Sequence, residues 1–203
     1  DGMLLISASG KQVVVDGGPG TKIVDCLSKN MPFWDRTVEL VVLTHAQKDH
    51  MEGLLEVLSR YKVKMITTTK VNNGSELYRA WEKAVEEEKA KVYVAKKGAR
   101  LKVDQLTLDV LWPDAEKLTQ WQSAPPSDLN ESAIVIRANY GQFCAYLTAD
   151  IPKEIFANLA SQGEALQGCQ VLKISHHGSK TGTNQQILDS VNPVVAIIQV
   201  GKN

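Results

Sequence analysis

The chain has 203 residues, 43% of them hydrophobic, which is enough for one full hydrophobic core and too few to require two. Its 23 basic and 23 acidic residues cancel, so the overall charge does not favour a polyanionic partner, and any contact with nucleic acid must rest on a local patch. No stretch approaches the roughly 20 apolar residues of a transmembrane helix, and no signal-peptide pattern opens the chain. We predict one soluble domain over residues 1–203, taken from a longer protein because both ends lie beside apolar runs.

The three cysteines, Cys26, Cys144 and Cys169, are widely spaced along the chain. They are an odd number and form no Cys-x-x-Cys pair. This pattern argues against a disulfide framework and against a thiolate zinc site. We therefore predict buried free cysteines.

The hydrophobic pattern predicts strands and helices in alternation. Two short apolar runs, over residues 3–7 and 12–15, predict a β-hairpin that ends at Asp16. A helix over residues 21–29 follows, and the apolar run 39–43 predicts a strand buried on both faces. The next predicted elements are a helix at 51–59, a strand at 64–69 and a helix from 75. Strands follow at 92–95, near 101, at 106–111, 133–138 and 143–148, and an irregular stretch at 113–130 separates the third of these from the fourth. The last predicted elements are a helix from 152 to about 161, a strand at 171–174, a helix from 183 and a strand at 194–199.

All four histidines of the chain follow predicted strands. His45 and His50 come after the buried strand that ends at residue 43, and the adjacent His176 and His177 come after the strand at 171–174. Imidazole binds borderline divalent metals, and the end of a strand holds a ligand on a rigid sheet. Isolated core histidines are the alternative, but they would require four accidental placements at strand ends. The pattern therefore predicts a metal site.

Three aspartates also stand at predicted strand exits. Asp49 and Asp150 offer carboxylate ligands beside the histidines, although each is also suited to be the N-cap of the helix that follows. Asp16 precedes two glycines, which is typical of a simple turn. The alternative is that its carboxylate accepts a hydrogen bond from a ligand histidine and so holds that histidine in one tautomer. We predict metal ligation for the first two and this supporting role for Asp16.

A basic segment without acidic residues spans residues 89–103. Its cations are Lys89, Lys91, Lys96, Lys97, Arg100 and Lys102. Such a segment can follow a DNA backbone, but it is also typical of edge strands, where lysines discourage aggregation. The acidic run at 86–88 favours the edge-strand interpretation. Trp112 and Trp121 are candidates for stacking on bases or for core packing.

Several segments together resemble the metallo-β-lactamase superfamily, and within it the ComEC-like domains of DNA-uptake proteins. They are Asp16-Gly17-Gly18, Thr44-His45-Ala46-Gln47-Lys48-Asp49-His50 with Gly53, Asn130-Glu131-Ser132 opening a predicted strand, Leu147-Thr148-Ala149-Asp150, Leu172-Lys173-Ile174-Ser175-His176-His177-Gly178-Ser179-Lys180-Thr181, and the final Val200-Gly201-Lys202-Asn203. The resemblance spans nearly the whole chain. It implies an αββα four-layer sandwich, two mixed sheets flanked by helices, with a metal site at one edge.

The same resemblance implies one or two divalent ions, zinc or manganese, with Asp150 as the bridge between two. The implied ligands are His45, Gln47, Asp49, His50, Asp150 and either His176 or His177. It further implies a metal-dependent phosphodiesterase or nuclease that degrades DNA during uptake, with Asp49 orienting the attacking water. The candidates for contacting a phosphate are Lys173, Ser179, Lys180 and Thr181. DNA and the membrane channel portion of the parent protein are the implied partners. The implied location of this domain is the outer face of a bacterial cell membrane, with the cytoplasm as the alternative.

The sequence departs from the superfamily pattern at two points. Position 47, a histidine in the superfamily and often an aspartate in ComEC-like domains, is Gln47, whose neutral oxygen is a weaker ligand. No histidine lies between His50 and His176, where the superfamily has one. The first metal position is therefore weakened, and two alternatives stay open. One is a non-catalytic domain that binds DNA or docks a partner, and the other is a hydrolase of small molecules.

Overall fold

Two β-sheets pack face to face in the computed structural model, which describes residues 1–161 and 168–201. The first sheet contains, from edge to edge, β1 (Gly2–Ile6), β2 (Gln12–Gly17), β3 (Thr37–Leu43), β4 (Lys62–Thr68) and β5 (Lys91–Val94). The second sheet contains, from edge to edge, β11 (Val195–Ile197), β10 (Val171–Lys173), β9 (Phe143–Leu147), β8 (Val135–Tyr140), β7 (Leu106–Trp112) and β6 (Arg100–Val103). Each sheet mixes parallel and antiparallel pairs.

Helices cover the outer faces of both sheets. On the first sheet lie α1 (Lys22–Asn30), α2 (Lys48–Arg60) and α3 (Glu76–Glu88). On the second lie α5 (Lys153–Ser161) and α6 (Gln185–Val191), while α4 (Ala115–Ser123) packs in a small separate cluster. The predicted αββα sandwich is confirmed.

Alternation of side chains along β2 explains the layering. Val14 faces α1 and α2, whereas Val13 and Val15 face the second sheet, and all three are fully buried. Because successive residues of a strand point to opposite faces, an uninterrupted apolar run is suited to a strand covered on both sides. The core between the sheets is completed by apolar residues such as Leu40 and Ile136.

Strand direction brings the predicted ligands to one edge of the sandwich. β2 and β3 are parallel neighbours in the first sheet, and β9 and β10 are parallel neighbours in the second. Their carboxyl ends therefore carry Asp16, the segment 44–50, Asp150 and the segment 175–178 toward the same region.

The structure corrects the prediction for the cysteines. Cys144 and Cys169 form a disulfide with a Cα–Cα distance of 4.7 Å, and Cys26 is free and half-buried. Cys144 lies in β9, and Cys169 stands just before β10, which pairs with β9 so that Ala145 is opposite Val171. The register of this ladder brings the two sulfurs together, and the spacing of cysteines along the sequence does not reveal that register.

Two local predictions were also wrong. The stretch predicted as irregular contains α4, because the side chain of Asp114 accepts a hydrogen bond from the backbone of Lys117 and the helix buries Leu118 and Trp121. Asn130-Glu131-Ser132 lies in a 3-10 turn, Leu129–Ser132, before β8 begins, so it does not open a strand.

The basic segment at 89–103 spans β5 and β6, which are the outermost strands of the two sheets. Its position agrees with the edge-strand interpretation. Trp121 is buried, and Trp112 is half-buried and packs against it with ring centroids 5.9 Å apart. Within residues 1–161 and 168–201, no helix is long and apolar enough to cross a membrane.

Candidate metal centre

Asp16 organises the first half of the site from the end of β2. It is fully buried with a positive φ of 57°, a conformation that non-glycine residues adopt mainly where the surroundings enforce it. One carboxylate oxygen accepts a hydrogen bond from the backbone N–H of Thr44 (2.8 Å). The other accepts from the Thr44 hydroxyl (2.7 Å) and from Nδ1 of His50 (2.7 Å).

These hydrogen bonds set the tautomers of two histidines. Because Nδ1 of His50 donates to Asp16, its Nε2 faces the other predicted ligands. The Thr44 hydroxyl already donates its proton to Asp16, so it accepts from Nδ1 of His45 at 3.0 Å. Nε2 of both histidines is buried and has no hydrogen-bond partner among the described residues. Buried orphan nitrogens of this kind are expected where a cation binds.

Two glycines let α2 approach β2 closely enough for this arrangement. A Cβ atom at Gly17 would overlap the backbone of Gly53 and Leu54, and a Cβ atom at Gly53 would overlap the carbonyl of Gly17. The backbone N–H of Gly53 also donates to the Gly18 carbonyl at 2.9 Å. His50, in the first turn of α2, is thereby held against Asp16.

The second half of the site is held together where β9 and β10 end. The Thr148 hydroxyl donates to the Lys173 carbonyl (2.6 Å), and the Ser175 hydroxyl donates to the Ile151 carbonyl (2.6 Å). The backbone N–H of His176 donates to the Ala149 carbonyl at 3.2 Å. Ala149, His176 and His177 have positive φ values, so the backbone after both strands adopts conformations that non-glycine residues rarely take.

Four side-chain atoms converge between the two halves. They are Nε2 of His50, Nε2 of His177, Oδ2 of Asp49 and Oδ2 of Asp150. Four of their separations are 3.1, 3.3, 3.4 and 3.6 Å. A tetrahedral ion with ligand bonds of about 2.0–2.1 Å keeps its ligands about 3.3–3.4 Å apart. These four separations are close to that spacing, so the residue types and distances suit a divalent ion such as zinc.

The structure separates the roles of the two adjacent histidines. His177 turns into the cluster, and its Nδ1 donates to the Gln199 carbonyl at 2.9 Å, so its Nε2 faces Asp49 and Asp150. His176 turns away, and its Nδ1 lies 3.1 Å from the hydroxyl of Thr181, which in turn lies 2.6 Å from that of Ser179. The geometry favours His177 as the ligand and places the two hydroxyls beside His176.

Asp1 and Lys173 form a buried ion pair that the sequence did not lead us to expect. The ammonium of Lys173 contacts the Asp1 carboxylate, donates to the Ala149 carbonyl at 2.7 Å and lies 3.4 Å from Oδ1 of Asp150. Its side chain is only 2% exposed. Lys173, expected to contact a phosphate, is thus held behind the carboxylates, whereas Lys180 is exposed.

Asp1 also approaches the cluster, since one carboxylate oxygen lies 3.3 Å from Nδ1 of His177. It belongs to a group of possible metal ligands, Asp1, His50, Asp150 and His177, whose atoms lie within 4.8 Å of one another. Asp1 and Asp49 are thus alternative candidates for the fourth position, and Lys173 pairs with Asp1. The predicted hairpin was the sequence signal that could have identified Asp1 as a residue of the site. Its antiparallel pairing sets Gly2 opposite Gly17 and so places the start of β1 beside the end of β2.

A second cation position is less complete. His45 is buried, with its ring centroid 4.1 Å from that of His50. Gln47 is half-buried at the N-cap of α2, and its side chain makes no capping hydrogen bond. Asp150 is the remaining predicted ligand of this second position. The neutral amide of Gln47 brings no negative charge to it.

Burial and neighbouring charges shift the pKa values of three groups in the cluster. Burial opposes the charged form of His50, but Asp16 and Asp150 outweigh it and raise the pKa of His50 to about 9. Burial would raise the pKa of Asp150, yet the nearby imidazole of His50 and the ammonium of Lys173 hold that pKa far below its usual range. Burial and the neighbouring His50 charge lower the pKa of His45 to about 4, so His45 stays neutral and able to bind a metal.

The site opens on one side into a cleft of about 540 Å³. Asp49 and His177 line it and are the exposed members of the cluster, with side chains 44% and 32% accessible. His50 and Asp150 lie behind them, fully buried. A group that enters from solvent therefore reaches the cluster past Asp49 and His177.

Sequence comparison finds two similar proteins. The chain is 29% identical to ComE operon protein 3 of Bacillus subtilis over 175 residues, which cover 83% of this chain and 20% of that protein. It is 26% identical to Recombination protein 2 of Haemophilus influenzae over 212 aligned positions, covering 98% of this chain and 23% of that protein. The chain thus spans less than a quarter of the length of either relative. No family model matches it.

Structural comparison identifies the fold. YhfI from Bacillus subtilis, a metallo-β-lactamase fold protein, superposes with a TM-score of 0.62 at 12% identity, covering 97% of this chain and 76% of the other. Igni18, a metallo hydrolase from Ignicoccus hospitalis, gives 0.56 at 16% identity, covering 94% and 75%. Zn²⁺-bound PqqB from Methylobacterium extorquens gives 0.56 at 14% identity, covering 86% and 59%. The chain therefore has the metallo-β-lactamase fold, and the resemblance carried by its sequence motifs is confirmed.

Proposed function

We propose that this domain is a metal-dependent hydrolase that cleaves phosphodiester bonds of DNA. The observation that carries the proposal is the convergence of two imidazole nitrogens and two carboxylate oxygens, with separations of 3.1–3.6 Å, beside an open cleft. The metallo-hydrolase fold and the similarity to the two longer proteins support hydrolysis. The DNA substrate rests on the ComEC-like motifs.

Each residue of the cluster has a distinct task in this proposal. His50, His177, Asp49 and Asp150 would hold a divalent ion, and Asp16 would keep His50 in the binding tautomer. When bound, the ion supplies Lewis acidity, which lowers the pKa of water and offsets charge on phosphate oxygens. The exposed Asp49 would orient the attacking water.

The domain would act as part of a larger membrane protein, on the outer face of the bacterial membrane and beside the channel portion that admits DNA. The disulfide between Cys144 and Cys169 supports an oxidising compartment, because cytosolic thiols are kept reduced. Ser179, Lys180 and Thr181 stay candidates for phosphate contact, since all three lie at the surface beyond the cluster.

The test is cleavage of single-stranded and double-stranded DNA with added manganese or zinc. We expect activity that chelation removes and that Asp150→Ala lowers at least 100-fold, because this change removes a buried ligand. The control is Asp189→Ala, an exposed aspartate on α6. An intact fold that cleaves no DNA with any divalent ion would refute the proposal.

Gln47 specifically favours a second candidate, a non-catalytic domain that binds DNA. A neutral amide at this position weakens one metal position, so the fold could persist without turnover. This candidate predicts DNA binding that falls with salt and persists after the metal is stripped. Metal analysis of Gln47→Asp and Gln47→His separates the two, because both changes should raise the bound metal count if position 47 limits it. Hydrolysis of a chromogenic β-lactam tests the small-molecule alternative.

A further inference from the structure

The cleft beside the cluster is lined by one more charged side chain. Asp49 and His177 line it, and so does Lys22, an exposed residue in the first turn of α1. Among the described residues that line the cleft, Lys22 is the only lysine or arginine. An anionic group that enters the cleft can therefore meet a lysine side chain in addition to the cluster.

Lys22 has no structural task that would account for its position. No hydrogen bond or ion pair joins its ammonium to another described residue. Two other lysines near the first sheet do have partners, since Lys48 lies 3.8 Å from Glu52 and Lys62 lies 3.0 Å from Glu88. The ammonium of Lys22 is thus free to bind a ligand, and its long flexible side chain suits contact with a phosphate as a point charge.

The remaining walls suit a sugar or base better than a second anion. Pro19 and Val200 contribute apolar surface, with Val200 69% exposed. Gly17 and Gly18 have no side chains to fill the space. The acidic lining residues are Asp1, which Lys173 neutralises, and Asp49, which belongs to the cluster.

We propose that Lys22 binds a phosphate next to the one that is cleaved, so that the cleft selects a polymeric phosphodiester over an isolated diester. The inference rests on the proposed phosphodiesterase function and adds a specificity-determining residue to it. The scissile phosphate would lie at Asp49 and His177, and the neighbouring nucleotide would extend along the apolar wall toward Lys22. Lys22 is a positioning residue in this arrangement, because it does not touch the reacting atoms.

The experiment compares two substrates with each variant. An eight-residue oligothymidylate carries neighbouring phosphates, whereas bis(p-nitrophenyl) phosphate carries only the scissile one. We expect Lys22→Ala to lower kcat/KM about tenfold for the oligonucleotide, which is the usual scale for one charged contact, and to leave the small diester within twofold. Lys22→Arg should retain most of the activity. Lys29→Ala, at the other end of α1, is the matched control.

Salt dependence provides a readout that a purely structural role would not change. Loss of one phosphate contact should reduce the slope of log kcat/KM against log salt concentration by about 0.7 for a single strand. Equal losses on both substrates, or a Lys22→Ala variant that matches Lys29→Ala on the oligonucleotide, would overturn the inference.

A binding measurement separates this inference from the proposed function. Fluorescence anisotropy of labelled oligothymidylate in chelator reports the contact without turnover, and Lys22→Ala should weaken binding about tenfold relative to Lys29→Ala. If the wild-type protein cleaves neither substrate, the proposed function fails, and this binding result alone decides whether Lys22 contacts phosphate. Equal affinities of the two variants for the oligonucleotide would then contradict a contact between Lys22 and phosphate.

Discussion

A single buried carboxylate controls the orientation of two histidines. Asp16 accepts directly from His50 and, through the Thr44 hydroxyl, sets the proton position on His45. We expect Asp16→Asn to lower zinc affinity about 10–100-fold, since partners behind a ligand typically contribute this much. Competition with a chromogenic chelator measures the effect. Asp25→Asn, an exposed change on α1, should leave affinity unaltered, and an unchanged affinity in folded Asp16→Asn would contradict the assignment.

His45 makes the stability of the metal-free protein depend on pH. Burial and the His50 charge lower its pKa to about 4, from 6.5 in the unfolded chain. Between pH 6.5 and 4, His45 therefore binds a proton in the unfolded state but not in the folded state. The stability that neutral His45 contributes is fully present above pH 6.5 and is lost as the pH falls toward 4. As the pH is lowered through this range, the free energy of unfolding should decrease in both proteins. The decrease should be steeper in the wild type than in His45→Asn, by up to about 1.4 kcal/mol per pH unit.

Urea unfolding of both proteins in chelator, across that pH range, checks this expectation. The difference between the two curves isolates His45 from the other titrating groups. Parallel curves would show that His45 binds its proton equally well in the folded protein.

At the scale of elements, the contact between α2 and β2 determines where the ligands stand. In an exposed helix Gly→Ala stabilises by about 1 kcal/mol, but the Cβ atom at position 53 would overlap the Gly17 carbonyl. We expect Gly53→Ala to destabilise the protein by about 3 kcal/mol, the upper end of overpacking costs, and to weaken metal binding. Gly10→Ala, where a Cβ meets open space, should cost only about 1 kcal/mol for its positive φ. Urea midpoints of the two variants decide between helix propensity and close contact.

The ladder between β9 and β10 carries Asp150 and His177, and the disulfide closes it at the other end. Linking residues 25 apart removes conformational freedom from the unfolded chain and should stabilise the fold by about 3 kcal/mol. Cys144→Ser combined with Cys169→Ser should lose this amount in urea unfolding, with Cys26→Ser as the control. Alkylation of the unreduced, denatured protein should modify one thiol, and modification of three would show that the pair is reduced.

Several elements were predictable because their signals are local. The apolar run of β3 and the histidines that follow it are contiguous in sequence, as are β10 and the turn at 175–178. α4 was missed because it is short, buries only Leu118 and Trp121, and is followed by Pro125 and Pro126, which are typical of irregular structure. Its packing against Val71 stabilises it, and that contact is distant in sequence.

At the scale of the whole molecule, the cluster contains more negative than positive charge and should need a cation. Four carboxylates, at Asp1, Asp16, Asp49 and Asp150, face the ammonium of Lys173 and the histidines. We expect zinc at 100 times its dissociation constant to stabilise the fold by about 2.7 kcal/mol, which raises the melting temperature by roughly 5–10 °C.

Thermal unfolding with and without the ion measures this stabilisation. Chelator should reverse the shift, Asp150→Ala should abolish it, and Asp189→Ala should keep it. A melting temperature that zinc does not change in the wild-type protein would exclude the cluster as a metal site.

The sequence by itself indicated a candidate metal site and the fold that holds it. All four histidines and three of the aspartates follow predicted strands, so the candidate site and the αββα fold were predicted from local patterns and from their resemblance to the superfamily. Those patterns reach only as far as neighbouring residues along the chain. Tertiary structure decided the rest, because sheet register is a long-range property. It turned His177 rather than His176 into the cluster, joined Asp1 to Lys173 behind the cluster, paired Cys144 with Cys169, and brought Lys22 and Asp49 into the lining of one cleft.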